Sequence, residues 1–364
     1  MSLLHQIALT KVYGIGSKTA QQLLAYFGSA ENIFNAKASE LIAINGIGKI
    51  TVENIQKSEA LHQAESELKF IEKYQITTLF YTESNFPQRL KNCYDSPILL
   101  YFKGNADLNA TKVISIVGTR NATTYGRDIC DSLIEQLQKH NVIIVSGLAH
   151  GIDSFAHRAS LRNNIPTVGV LGHGLDRIYP AVNRNMAEKM LHCGGLLSEY
   201  CSGTNPDREN FPKRNRIIAG LSDATIVVEA SLKGGALISA EIANSYNRDV
   251  FAFPGNIDNE FSAGCNYLIK TNRANLISGI KDLEYLLGWN EAETTVAPKQ
   301  LSLPIGLSKD EKLIAETIYQ HGSIAIDKLL IATNMPQSKL AMLILGLEMQ
   351  GLIVSLPGKM YKLS

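Results

Sequence analysis

Three cations crowd one short stretch of this chain, Asn210-Phe211-Pro212-Lys213-Arg214-Asn215-Arg216. Pro212 is a favoured first-turn residue, so a helix is expected to begin near it. Cations in a first turn oppose the helix dipole, so Lys213, Arg214 and Arg216 cost stability there unless something anionic binds. Phe211 adds a stacking surface, and Asn210 and Asn215 add hydrogen-bonding groups. An aromatic beside clustered cations suits single-stranded nucleic acid, which needs a platform for bases and a track for phosphates. A solvated basic surface is the plainer alternative.

A second set of phosphate-binding groups lies upstream. The turn Gly118-Thr119-Arg120 runs on through hydroxyl-bearing residues to Gly126-Arg127. It is not the Gly-x-Gly-x-x-Gly of a dinucleotide site, and Asp131 and Glu135 come too early to hold a ribose. It offers a strand-end glycine, Arg120, and Arg127 at a helix start. Arg120 bound only in a salt bridge is the alternative. Gly234-Gly235 opens another helix and suits a phosphate as well.

Candidates for acid–base or metal chemistry are sparser. Asp153 and His157 are four apart and would share a helix face, with His150 before them, but no further strong ligand follows at a usual spacing. Asp153 is expected to cap a helix and His157 to pair with it. Glu229 and Glu241 would suit a nucleotide hydrolase. Glu229 is expected instead to orient the nearby arginines. No catalytic residue, metal site or cofactor is expected.

These residues all sit in turns of one pattern. β-branched runs occur at Val113–Val117, Val142–Gly147, Thr167–Gly172, Leu196–Glu199, Thr225–Glu229 and Val250–Pro254. Helical spacing fills the gaps at Arg127–Lys139, Ser154–Asn163, Asn185–His192 and Ile238–Asn247. Strands alternating with single helices imply βαβ units and a parallel sheet covered on both faces. Ligands of such sheets sit beyond the carboxyl ends of the strands.

Composition sets the limits. A chain of 364 residues, 45% hydrophobic, has room for two or three domains with real cores. The net charge of +1 confines any nucleic-acid site to a local patch. Five cysteines without a Cys-x-x-Cys argue against a disulfide framework or a zinc module. No long apolar run suggests a membrane span, and a cytoplasmic protein is expected.

Flanking segments read as separate modules. In residues 1–80, Gly14-Ile-Gly16-Ser-Lys18 and Gly46-Ile-Gly48-Lys49 make two Gly-x-Gly turns between short helices. That is the helix-hairpin-helix pattern, whose glycines admit a phosphate to a helix start. An interaction module with sharp turns and no DNA is the alternative. The sheet domain is expected over 81–288 and a Pro-bearing linker over 289–307. Residues 308–364 give three helices, Ser308–Gln320, Ile326–Thr333 and Gln337–Gly351, then a hairpin, which makes a winged helix. Gln337–Gly351 is largely apolar, so sequence-specific reading of duplex DNA is not expected from it.

Taken in order, Ile116-Val-Gly-Thr-Arg120, Ser146-Gly-Leu-Ala-His-Gly-Ile-Asp153, Phe211-Pro-Lys-Arg-Asn-Arg-Ile-Ile-Ala-Gly220, Val228-Glu-Ala230, Pro254-Gly-Asn256 and Gly264–Ile269 resemble the DNA-processing protein A (DprA/Smf) family. The likeness covers nearly all of residues 86–288. Lys233-Gly-Gly-Ala-Leu-Ile-Ser-Ala240 stands where the family usually has Ser-Gly-Ser-Leu-Ile-Thr-Ala. The resemblance implies an extended Rossmann-like domain that binds single-stranded DNA, forms a homodimer through the carboxyl part of the sheet domain, and protects incoming DNA. It further implies delivery of a RecA-type recombinase during natural transformation, with no catalytic activity. Arg120 matches the family's Gly-x-Arg arginine, and Lys213, Arg214 and Arg216 lie in its Phe-Pro-x-Arg-Asn-Arg motif. Two rivals are a Rossmann-like nucleotide hydrolase, whose Pro-Gly-Gly-x-Gly-Thr is absent, and a winged-helix regulator of duplex DNA.

Overall fold

The computed structural model describes residues 2–57, 59–289 and 307–364. Six helices come first: α1 (Leu3–Lys11), α2 (Ser17–Phe27), α3 (Ala30–Asn35), α4 (Ala38–Ile42), α5 (Lys49–Lys57) and α6 (Ala60–Tyr74). Gly14 and Gly46 take left-handed φ angles at the two expected turns, and Asn54 Nδ2 donates to the Tyr13 carbonyl, tying one hairpin to the other.

Nine strands then build one sheet: β1 (Thr77–Phe80), β2 (Leu99–Gly104), β3 (Val113–Val117), β4 (Ile143–Ser146), β5 (Thr167–Leu171), β6 (Gly194–Ser198), β7 (Ala224–Val227), β8 (Asp249–Ala252) and β9 (Asn275–Leu276). Their order is β1-β2-β6-β5-β4-β3-β7-β8-β9. From β6 to β9 all pairs are parallel, while β1 and β2 run antiparallel at one edge. The strands β3 and β5 are buried at every residue, as continuous β-branched runs covered on both faces must be. The sheet therefore begins at Thr77, inside the segment assigned to the helical module. Phe80, Leu99 and Tyr101 of its antiparallel edge complete the core of that module.

The helices between the strands are α7 (Gln88–Lys91), α8 (Thr124–Leu137), α9 (Ile152–Arg162), α10 (Arg184–Met190), α11 (Asn210–Leu221), α12 (Gly235–Ser245), α13 (Glu260–Lys270) and α14 (Ile280–Leu286). Two apolar layers clamp the sheet, one under α11 and α12 and one under α8 and α9.

The last module has α15 (Lys309–His321), β10 (Ser323–Ala325), α16 (Ile326–Thr333), α17 (Gln337–Met349), β11 (Ile353–Leu356) and β12 (Met360–Leu363). The hairpin β11–β12 takes β10 as a third strand, which completes a winged helix. Its turn lies against the sheet domain: Arg248, 6% exposed, donates to the carbonyls of Arg89 and Pro357, and Gly358 N–H donates to Asn247. Between Trp289 and Leu307 the expected linker lies outside the described residues.

Candidate nucleic-acid interface

Strand order reverses about β3: β4, β5 and β6 lie to one side, and β7, β8 and β9 to the other. A crevice beyond the carboxyl ends is expected at such a switch point. A cavity of about 640 Å³ opens there. Gly118, Thr119 and Arg120 line it after β3, Ala149 and Asp153 after β4, and Ala230, Gly234 and Gly235 after β7. Arg208, Phe211, Arg214 and Asn215 close it from the start of α11. Gly118 is there for packing, because a Cβ would lie 2.4 Å from the Ile152 side chain. Gly234 caps α12 and Gly235 opens it, as expected, at the cavity's edge.

Phe211 is the centre of the rim. The Arg120 guanidinium lies 5.5 Å from its ring centroid and that of Arg214 6.0 Å. The half-exposed Tyr179 ring stands 6.0 Å away at 31°. Two aromatic faces and an exposed guanidinium thus share one mouth. Arg208, exposed on the loop before α11, adds a second cation to it. Sequence reasoning missed Arg208 because Asn205-Pro-Asp-Arg208 has no periodicity; only the fold brings it into the cavity that Arg120 lines.

The expected row of four phosphate-binding cations is not one row. Helix α11 starts at Asn210, two residues before Pro212, and Pro212 falls in its first turn, where no N–H is needed. In a helix, residues three apart share a face and residues two apart do not. Lys213 and Arg216 accordingly face a separate cavity of about 410 Å³, which Glu199 and Tyr200 also line, and Arg214 faces the switch point. Arg216 donates to both carboxylate oxygens of Glu199 and to the Asp95 carbonyl, so it is neutralised from within. Lys213 stays exposed, 3.8 Å from Glu209.

Arg214 is 4% exposed and donates to the carbonyls of Gly147 and Val170. Asp153 lies against it: a Cβ on Gly147 would meet Asp153 Oδ2 at 2.6 Å and both Arg214 terminal nitrogens at 2.7 Å. Burial raises the Asp153 carboxyl and lowers Arg214 to about 10, each shift tempered by the other group's charge. With α11 beginning at Asn210, Arg214 and Arg216 lie past its first turn, where the dipole effect has fallen off, and they are held by internal carbonyls and, at Arg216, by Glu199. Neither residue calls for an external anion.

Other expectations are also corrected. Asp153 is not the cap of α9; Gly151 holds that position, and Asp153 accepts from the Ala149 N–H at 3.3 Å. His157 pairs with Thr167 Oγ1 at 2.7 Å instead of Asp153, and burial drives it down to about 3. Glu229 orients no arginine. It is fully buried and accepts from the Thr123 N–H at 2.9 Å and hydroxyl at 2.7 Å, holding the start of α8. Glu241 pairs with Arg273 at 2.6 Å on the surface. Arg127 is exposed beside Asp128 and lines neither rim cavity.

The amino-terminal hairpins lie apart from the switch point. Gly16 and Ser17 face the cavity that holds Lys213, while Lys18 lies 5.0 Å over the Tyr94 ring. Gly46, Gly48 and Lys49 line neither the switch-point cavity nor the one that holds Lys213. Among the described residues no group of three His, Cys, Asp or Glu suits a metal ion, and no helix is long and apolar enough to cross a membrane.

Comparison with known proteins agrees with this architecture. The family model for DNA recombination-mediator protein A matches residues 77–287, the SAM-like helix-hairpin-helix tandem residues 7–58, and the DprA winged helix domain residues 297–359. The protein Smf of a Synechocystis species is 38% identical over 283 residues, covering 75% of this chain and 70% of that one. The DNA processing protein DprA of Streptococcus pneumoniae is 42% identical over 194 residues, 53% of this chain and 68% of that one. The X-ray structure of the pneumococcal protein superposes with a TM-score of 0.68 at 33% identity, over 78% of this chain and 98% of that one. A structure describing the single-stranded DNA binding mode of DNA processing protein A from Helicobacter pylori gives 0.54 at 31% identity, over 59% and 96%. With its hairpin module, parallel sheet and winged helix in the same order, this chain belongs to the DNA recombination-mediator protein A (DprA/Smf) family.

Proposed function

We propose that this protein binds single-stranded DNA at the switch-point cavity and acts as a recombination mediator without making or breaking a bond. The observation that carries the reading is the Arg120–Phe211–Tyr179 mouth, with Arg208 beside it. Bases stack on the rings, at about 1–3 kcal/mol each. Phosphates meet Arg120 and Arg208, while Asn215, Gly118, Gly234 and Gly235 offer polar and backbone groups. Arg214 supports Phe211 from below, and Lys213, Arg216 and Arg127 lie outside the main track.

Asp153, the carboxylate lining this cavity, is buried near Arg214 and accepts from the Ala149 N–H, and Glu229 and Glu241 have other partners. That favours binding over hydrolysis. Family membership supports the rest of the reading: a cytoplasmic homodimer that protects incoming strands and delivers a RecA-type recombinase to them during natural transformation.

The test is fluorescence anisotropy with labelled oligo-dT across a salt series, against duplex competitor. The double variant Arg120→Ala/Arg208→Ala is expected to weaken binding at least tenfold and to flatten the log–log salt slope by about 1.4, near 0.7 per lost phosphate contact on a single strand. Equal affinity of variant and wild type, or preference for duplex, sinks the reading.

A further inference from the structure

Beside the switch-point cavity lies a second one, of about 490 Å³, between the first turn and the start of α9. Arg120 lines both, so the two meet at its side chain. The second is lined on its far side by His150, Phe155 and Arg158. No carboxylate is among its lining residues.

The charges there are unusual for this chain. Its other surface arginines are mostly paired: Arg127 with Asp128, Arg162 with Asp131, Arg177 with Asp176 and Arg273 with Glu241. Among the described residues, four exposed arginines have no carboxylate within 4.0 Å: Arg120, Arg158, Arg184 and Arg208. Arg184 shares its cavity with Asp176 and Glu188. Each of the other three lines one of the two rim cavities or both. A protein with a net charge of +1 has thus left three of these four arginines in two cavities that share Arg120.

Unpaired cations repel one another unless a polyanion lies across them. The half-buried Phe155 gives the second cavity an apolar face, so a ring and a cation line it as they line the first. We infer that a bound single strand leaves the switch-point cavity over Arg120 and enters a second subsite, where His150 and Arg158 contact its phosphates and Phe155 a base. This rests on the proposed function and adds the path and length of the strand.

The path makes the effect of a variant depend on oligonucleotide length. Oligo-dT of about 5 and of about 15 nucleotides span the usual single-strand site sizes. With His150→Ala/Arg158→Ala, affinity for the longer oligonucleotide is expected to fall about tenfold and its salt slope by about 0.7 to 1.4. Affinity for the shorter one should stay within about twofold of wild type, since Arg120 and Arg208 can hold it alone. Arg158→Lys in place of Arg158→Ala should recover most of the loss. Because His150 and Arg158 are exposed, the variant should keep the wild-type melting temperature. An unchanged affinity for the longer oligonucleotide overturns the subsite and leaves the proposed function standing. Equal losses at both lengths overturn it too, since a separate anion site would behave so. A wild-type protein that binds neither length overturns the proposed function and this inference together.

Discussion

The two banks of helix α11 carry the same kind of cation and use it for different ends. On the inner bank Arg214 is buried, tied to the carbonyls of Gly147 and Val170 with Asp153 against it. It links the ends of β4 and β5 and fixes the floor on which Phe211 rests. On the outer bank Arg216 is clamped by Glu199 and the Asp95 carbonyl. The cations left open to a ligand are elsewhere, on the first turn at Arg120 and on the loop at Arg208. Charge clustered in sequence is therefore no measure of charge on offer. What decides is whether a carboxylate or carbonyl from a distant turn reaches the side chain first.

The sharpest way to break this comparison is to remove the inner arginine. Arg214→Ala leaves the Gly147 and Val170 carbonyls without their donor and the buried Asp153 carboxylate without its neighbouring positive charge, and such a loss typically costs about 3–5 kcal/mol. A large fall in melting temperature is expected, measured by circular dichroism, along with lost DNA binding. A variant that melts like wild type but no longer binds oligo-dT would show instead that Arg214 is a ligand contact.

Arg216→Ala tests the outer bank, with a smaller cost of about 2 kcal/mol because its pair with Glu199 is only partly buried. Its pH dependence has a definite sign. Burial holds the Glu199 carboxyl above its ordinary value, and Arg216 is the chief group pulling it down. Removing Arg216 raises that carboxyl further. A carboxyl raised in the folded state loses stability as pH rises through its folded value. The deficit of Arg216→Ala should thus be largest near neutrality and shrink on acidification, as Glu199 takes up a proton. Urea midpoints at several pH values measure it, and a deficit that grows on acidification would sink the pairing.

Much of the frame is legible in the sequence. β-branched runs ending in glycine mark the parallel strands β3, β4 and β5, because a strand buried on both faces has no polar side to alternate with. The winged helix was legible from three periodic stretches and a Pro-Gly turn. The short β1 was not, since Thr77–Phe80 becomes a strand only by pairing with β2. The site was legible by residue type and less by role. Arg120, Phe211 and Asn215 do share the cavity with Gly234 and Gly235. The fates of Arg214 and Arg216 depend on Gly147 and Asp95, residues 67 and 121 positions away. No local spacing carries that information, although the helical repeat alone would have put Lys213 and Arg216 on a different bank from Arg214.

The smallest expected effect is at Lys213, and it tests how far the strand spreads. Lys213 is the exposed cation of the outer bank, 63% exposed at its side chain and 3.8 Å from Glu209. It shares its cavity with Gly16 and Ser17 of the first hairpin, where the amino-terminal module meets the sheet domain. A strand running from Arg208 over Arg120 towards Arg158 passes the opposite bank and meets Lys213 only through a screened field. Lys213→Ala should then weaken oligo-dT binding less than about twofold and leave the salt slope within about 0.3 of wild type, under half of one phosphate contact. A slope lowered by about 0.7 would mean a direct phosphate contact. The strand would then cross α11, and the hairpin glycines would join the interface. In that outcome the outer bank, with Arg216 held by Glu199 beneath, would be a binding surface in its own right, and the contrast between the two banks would rest on Arg214 alone.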